Sequence, residues 1–211
     1  MFVRDVMTTQ PQTIAERTTI FDALELMRKG KISRLPVVKD GRLVGIVTEL
    51  DLIRVSPSTA TSLSVFELHY LLSKMTVNDA MSKDVITTSP DATIEQAAII
   101  MRDSGVSGLP VVQGDKLIGI VTETNLFDAM LEHFGSRSGG VRVTLSAEDK
   151  PGQLAMLADV IRDLGGNIVS LVTSEPVEGR GQVVARVTGV ATDLLVAELG
   201  NRGLRVIHVA E

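Results

Sequence analysis

Hydrophobic and polar positions recur along this chain at a fixed offset of 74 residues, as from Leu35 to Leu109. Short apolar runs flank the dipeptide Asp40-Gly41, and the same arrangement returns around Gly114-Asp115. Two apolar runs that a two-residue Asp/Gly turn separates indicate a β-hairpin. A fixed period indicates that one supersecondary unit is used twice and buries its apolar face against its own copy.

A helical pattern precedes each hairpin. In the first copy it follows Thr19, a residue type favoured as a helix N-cap, and we expect Gly30 to end the helix. Its apolar positions are Ile20, Ala23, Leu24 and Met27. In the second copy, Thr93 and Gln96 have the spacing of a capping box. The hairpins are therefore expected to pack against helices.

A polar pair follows each hairpin, namely Thr48-x-x-Asp51 and Thr122-x-x-Asn125. Each pair stands where a strand gives way to a short helix. One interpretation is a helix cap, in which the threonine hydroxyl accepts an orphan backbone N–H. The other is a polar clamp that holds the ribose and phosphate of a ligand. The spacing alone permits both.

These residues resemble a known family. Met7, the segment SRLPVV at Ser33–Val38 and the segment GIVTELD at Gly45–Asp51 are followed by their second copies, a pattern similar to a pair of CBS domains. The resemblance implies two βαββα repeats packed as a pair, with an adenine nucleotide of the AMP or ATP class bound as a regulatory ligand in the clefts between them. No cofactor is required on this interpretation.

The resemblance also implies which residues contact the nucleotide. In the first copy they are Thr13, Ile14, Ser33, Arg34, Leu35, Pro36, Thr48 and Asp51, and in the second Thr87, Ser107, Leu109, Pro110, Thr122 and Asn125. When the residues are grouped by repeat, Asp51 and Arg34 belong to one site and Asn125 and Gly108 to the other. Because a carboxylate can accept hydrogen bonds from both ribose hydroxyls and a guanidinium can bind phosphate, we expect the Asp51 site to be the tighter one.

Composition narrows the classes of partner. The net charge of −5 and an aromatic content of 3% argue against a nucleic-acid partner bound through phosphates and stacking. The absence of cysteine excludes disulfides and thiolate catalysis. We find no metal-ligand spacing, no nucleophile beside a base, no signal peptide and no membrane-spanning run. We therefore expect a cytoplasmic protein that is not an enzyme.

The last third of the chain has a different pattern. Strands and helices are expected in the order βαββαβ from Val141 onward, which is a ferredoxin-like arrangement. The predicted organisation is a first repeat at 1–60, a linker with a short helix at 61–76, a second repeat at 77–134, a linker at 135–140 and a C-terminal domain at 141–211. The whole chain is thus expected to be a mixed α/β (α+β) protein.

The segment DKPGQLA at Asp149–Ala155, followed by GGNI at Gly165–Ile168, resembles an ACT domain. The resemblance implies a regulatory unit that binds an amino acid near the first helix. The residues implied are Asp149, Gly152, Gln153, Leu154, Asn167 and Ile168. The alternative assigns the same residues to helix ends, with Pro151 at the first helical position, Asp149 as a cap and a sheet used only for dimerisation.

The domain order is similar to that of the acetoin-utilisation protein B family, which implies a small regulatory protein. We therefore predict a ligand sensor without catalysis that forms a homodimer. Two alternatives stay open, a structural interaction module that binds no ligand and a regulatory subunit of an enzyme. The exposed face or edge of the C-terminal sheet is expected to pair with a second subunit, through Ile168–Val172 and Val183–Val187.

Overall fold

The computed structural model describes residues 1–55, 67, 74–148, 150–177 and 179–211. The chain divides into two compact units, Met1–Leu126 and Phe127–Glu211. The predicted linker at 61–76 and its short helix lie mostly outside the described residues.

The first unit contains both repeats. Its elements in the first repeat are α1 (Val3–Val6), β1 (Thr8–Thr9), α2 (Ile20–Gly30), β2 (Arg34–Lys39), β3 (Arg42–Thr48) and α3 (Glu49–Val55). The second repeat has a 3-10 helix (Val77–Asp79), α4 (Ile94–Ser104), β4 (Gly108–Gln113), β5 (Lys116–Thr122) and α5 (Glu123–His133), the last of which continues into the second unit.

Local chemistry accounts for these elements. The β2–β3 turn has positive φ at both Asp40 (49°) and Gly41 (77°), the backbone that a two-residue hairpin favours. The Thr19 hydroxyl accepts the Asp22 N–H at the start of α2. Helix α2 ends at Gly30, as expected, and Lys31 after it adopts the left-handed conformation of the C-cap.

A pseudo-two-fold axis relates the two repeats. Thr8 pairs with Ile120 of the second hairpin, and its equivalent Ser82 pairs with Ile46 of the first. The N-terminal segment of each repeat therefore adds to the hairpin of the other. The equivalent residues Arg42 and Lys116 pair with each other, which joins β3 to β5 in one antiparallel sheet.

Apolar side chains of the first hairpin face helix α2. Leu35, Val37 and Val47 are fully buried together with Ile20 and Met27. Alternation along β3 leaves its other positions partly or fully exposed, which is the pattern of a sheet with one packed face. The second repeat buries the equivalent residues Leu109, Val111 and Val121.

The second unit is an antiparallel sheet with two helices against one face. Its elements are β6 (Val141–Glu148), α6 (Gln153–Asp163), β7 (Asn167–Thr173), β8 (Arg180–Thr188), α7 (Thr192–Asn201) and β9 (Arg205–Ala210). The strand order β7-β8-β6-β9 confirms the ferredoxin-like prediction.

The helices of this unit cover the face of the sheet to which the alternating apolar residues of β8 belong. Val183, Ala185 and Val187 pack with helix residues such as Leu157 and Leu195 in the core. The expectation that Val183–Val187 supplies a dimer surface is therefore wrong. The exposed apolar residues of the sheet include Val169, Leu171 and Val172 of β7.

Candidate functional site

The two polar pairs are helix caps with matching geometry. The Thr48 N–H donates to Asp51 Oδ2 at 2.9 Å, and the Asp51 N–H donates to Thr48 Oγ1 at 3.2 Å. Thr122 and Asn125 make the equivalent bonds at 2.9 and 3.4 Å. The cap uses one acceptor oxygen of each side chain. Asp51 keeps its second carboxylate oxygen for other partners, whereas Asn125 keeps an NH₂ donor.

A cavity of about 510 Å³ lies in the first unit and is lined by both repeats. The first repeat contributes Thr8, Gln10, Pro11, Gln12, Lys31, Ile32, Ser33, Arg34 and Pro36, and the second contributes Ser107, Ile120, Thr122, Glu123, Thr124 and Asn125. The crossed pairing of β1 with β5 brings these two sets together. The cavity therefore combines the start of one hairpin with the cap of the other.

Arg34 crosses from the first repeat to the second. Its Nη1 donates to the Ser107 carbonyl oxygen and its Nη2 to Ser107 Oγ at 2.5 Å. Its equivalent is Gly108, and a Cβ built on Gly108 would collide with the Arg34 guanidinium. Equivalent positions face each other at the pseudo-two-fold axis, so the glycine provides the space that the arginine occupies.

The electrostatics of the cavity centre on this guanidinium. Partial burial lowers the pKa of Arg34, and the negative charge of Glu123 opposes that shift. Arginine keeps its proton in proteins, so the group remains a cation. Its two bonds to Ser107 use two of its five N–H donors, which leaves donors for a ligand in the cavity.

The structure brings together six of the predicted nucleotide residues, namely Ser33, Arg34, Pro36, Ser107, Thr122 and Asn125. Grouping the residues by repeat does not describe this cavity, because Arg34 shares it with Asn125 and not with Asp51. Three predicted residues contribute their side chains to the core, since Leu35 and Leu109 are fully buried and Ile14 is 7% exposed. Thr13, Thr48, Asp51, Thr87 and Pro110 are not among its lining residues.

Sequence reasoning missed several lining residues. Gln10 and Gln12 belong to the N-terminal segment, which carries no motif of its own, and Lys31 and Glu123 flank the motif residues. An alignment of the two repeats at the 74-residue offset could have indicated these residues. In that alignment, Lys31 and Arg34 correspond to the glycines Gly105 and Gly108.

A second cavity, of about 630 Å³, lies in the second unit at the start of α6. It includes the predicted residues Gly152, Gln153 and Leu154, with Lys150 beside them. Helix α6 begins at Gln153 with Gly152 as its N-cap, at a φ of 92° and with no side-chain cap. Pro151 therefore precedes the cap, and the interpretation that placed it at the first helical position is wrong.

Two predicted amino-acid residues lie elsewhere. Asn167 and Ile168 begin β7, whereas Thr173 at the end of that strand lines the cavity. Six residue steps along a strand span roughly 20 Å, so one amino acid in a single chain does not reach both places. Asp149 lies outside the described residues. Lys150 donates to Glu148, and this hydrogen bond and charge lower the pKa of the Glu148 carboxyl.

Within the part of the chain that the structure describes, no group of three or more His, Asp or Glu side chains could hold a metal ion. No described helix is long and apolar enough to cross a membrane.

Fold and cavity together define a class: a tandem pair of βαββα repeats with ligand-sized space between the copies. The sequence profile of the CBS domain matches residues 3–58 and 77–132, more than half of the chain, and that of the TTHA0829-like ACT domain matches 139–210. The chain belongs to the CBS domain family and carries an ACT domain after the pair.

The chain is similar to several known proteins. An uncharacterized protein of Methanocaldococcus jannaschii, MJ1426, is 36% identical over 62% of this chain and 92% of its own length. CBSX2 of Arabidopsis thaliana, solved in complex with AMP, is 33% identical, with a TM-score of 0.52, covering 62% of this chain and 96% of that one.

Two further solved structures are similar. The CBS pair of protein MJ0100, in complex with 5′-methylthioadenosine and S-adenosyl-L-methionine, is 28% identical with a TM-score of 0.52, over 65% of this chain and 98% of that one. A proposed acetoin utilization protein (AcuB) of Vibrio cholerae is 29% identical with a TM-score of 0.54, over 66% of this chain and 98% of that one.

Proposed function

We propose that this protein is a non-catalytic sensor that binds an adenine nucleotide in the cavity lined by both CBS repeats. The observation that carries the proposal is the composition of that cavity, which joins Arg34 and Ser33 of one repeat to Thr122 and Asn125 of the other. The bound AMP, methylthioadenosine and S-adenosylmethionine of the solved neighbours support the ligand class.

The polar groups suit the parts of a nucleotide. Apolar Pro36 and Ile120 offer a surface for the base, while the hydroxyls of Ser33 and Thr122 and the amide of Asn125 offer hydrogen bonds to the sugar and phosphate. Because the ligand would touch both repeats, its binding would favour one relative arrangement of the two hairpins over others. Such a shift is the signal that a sensor transmits.

A second ligand is proposed for the ACT domain, an amino acid in the cavity at Gly152–Leu154. The backbone N–H groups in the first turn of α6 suit a carboxylate, and Glu148 suits an ammonium group. Because Asn167 lies at the other end of β7, its participation would require a second subunit. We therefore extend the proposal to a homodimer, which the exposed apolar residues of β7 support.

We also propose a regulatory role of the acetoin-utilisation protein B kind in the cytoplasm. The similarity of the CBS pair to the Vibrio cholerae protein, over 66% of this chain, supports the family part of this proposal. Partial matches point to the other candidate, a regulatory subunit. Several enzymes match over about a quarter of their own length, among them an inosine-5′-monophosphate dehydrogenase of Korarchaeum cryptofilum. This chain therefore resembles only a part of each of these enzymes.

A thermal-shift screen tests the sensor proposal. AMP, ATP, S-adenosylmethionine and the common amino acids are added to the purified protein, with GMP as a purine control. A ligand at 100 times its dissociation constant adds about 2.7 kcal/mol to the free energy of unfolding. We expect a rise in Tm with an adenine ligand and a smaller one with GMP. No shift with any adenine ligand at millimolar concentration would favour the structural-module alternative.

A further inference from the structure

The two clefts of the CBS pair carry opposite charge. The cavity at Asn125 contains two cations, Lys31 and Arg34, and one carboxylate, Glu123. At the equivalent positions 74 residues away, the cations become Gly105 and Gly108, Glu123 becomes Glu49, Asn125 becomes Asp51, and Gln10 becomes Asp84. We call the cleft that these equivalent positions define the twin cleft. The equivalence assigns it three carboxylates, Glu49, Asp51 and Asp84, and neither of the two cations.

The backbone supports this comparison of equivalent positions. The Glu49 N–H donates to the Ser33 carbonyl at 3.0 Å, and the Glu123 N–H donates to the Ser107 carbonyl at 3.3 Å. The caps at Asp51 and Asn125 use the same bonds. Because these backbone hydrogen bonds match, the two clefts differ in the side chains that line them.

Geometry at the axis prevents both clefts from having the arginine. Arg34 lies on Gly108, so a second large side chain at position 108 would compete for the same volume. The single guanidinium lines the cavity on the Asn125 side. It is half buried, and a partly desolvated guanidinium binds phosphate oxygens more strongly than an exposed one.

Lys31 adds a second cation to the lining of the same cavity. It holds the left-handed conformation at the end of α2, with a φ of 50°, where the second repeat has Gly105 at 65°. That conformation favours glycine over lysine. The first repeat thus places a charged lysine where the backbone conformation favours glycine.

We propose that the phosphate of the nucleotide binds at Arg34 and Lys31, in the cavity capped by Asn125, and that the twin cleft capped by Asp51 excludes phosphate through its three carboxylates. This inference rests on the proposed function and adds which cleft takes an anionic ligand. It reverses the expectation that the carboxylate of Asp51 marks the tighter nucleotide site. The preference of Asp51 for ribose hydroxyls remains, but it applies to ligands without phosphate.

Calorimetric titrations with AMP and adenosine on the full chain test the inference. Both ligands share base and ribose, and AMP alone has a phosphate. The variant Arg34→Gln removes the guanidinium, and Arg42→Gln removes one from an exposed position that does not line the cavity. We expect Arg34→Gln to weaken the affinity for AMP at least about ten-fold, a loss typical of one charge-assisted contact. Arg42→Gln should leave the affinity for AMP unchanged. In both variants, the affinity for adenosine should stay within about two-fold of that of the parent protein.

A second pair of variants tests the inference even if Arg34→Gln does not fold. Glu123→Gln and Glu49→Gln remove equivalent carboxylates from the two clefts. Interactions between exposed charges contribute up to about 1 kcal/mol. Removing the Glu123 carboxylate from the cavity should therefore tighten AMP binding roughly two- to five-fold, while Glu49→Gln leaves AMP binding unchanged. Equal AMP binding in Arg34→Gln and the parent, equal losses of AMP and adenosine, or a larger effect of Glu49→Gln would each overturn the inference. Binding of neither ligand to the parent would instead reject the nucleotide proposal itself.

Discussion

Single residues show how the repeats have diverged, and Thr88 is one that stability measurements can test. Thr88 is 6% exposed, and its Oγ1 has no hydrogen-bond partner among the described residues. The equivalent residue in the first repeat is Ile14, which is buried in the core. An unsatisfied buried hydroxyl costs about 1–3 kcal/mol.

Thr88→Val should therefore stabilise the protein, because valine has the same shape without the hydroxyl. We expect the free energy of unfolding to rise by about 1 kcal/mol in urea denaturation. The control is Thr13→Val, since Thr13 is exposed and its loss should change stability by no more than about 0.5 kcal/mol. A fall in stability for Thr88→Val would show that the hydroxyl has a partner.

At the scale of an element, the end of α2 shows a conflict between stability and charge. Lys31→Gly places at this helix end the residue that its left-handed backbone favours. We expect the free energy of unfolding to rise by about 0.5–1 kcal/mol, together with weaker AMP binding because a cation is lost from the cavity. The mirror variant Gly105→Lys should lower stability by a similar amount. Equal or lower stability of Lys31→Gly would contradict this account.

Local signals predicted the elements well. The turn at Asp40-Gly41, the cap at Thr19 and the capping box at Thr93 all form as expected, because each depends on residues close in sequence. The cavity could not be predicted from such signals. Its lining depends on the crossed pairing of Thr8 with Ile120, which places the start of one repeat beside the cap of the other.

The same limit explains the errors in the second unit. The pattern of β8 correctly predicted an apolar face, but pattern alone does not say whether helices or a second subunit cover it. Asn167 follows the end of α6 in sequence and was assigned to the site at the beginning of that helix. The helix and strand run the length of the sheet, which separates the two places.

For the whole molecule, the exposed apolar residues of β7 predict a homodimer. Light scattering at micromolar concentration should give twice the 22.6 kDa of one chain. Leu171→Lys should reduce the mass to that of a monomer, because it places a charge on the exposed strand. The matched control is Leu194→Lys, at an exposed leucine on α7, which should leave the dimer intact. A parent protein that is monomeric would refute the prediction.

The central claim is that the molecule binds an adenine nucleotide and does not turn it over. Isothermal titration calorimetry with ATP tests both parts at once, because binding gives heat that saturates and hydrolysis gives heat that continues. With about 100 μM protein, we predict a saturating isotherm and a return to baseline after every injection. Either no heat up to millimolar ATP or a sustained heat flow with phosphate release would contradict the account.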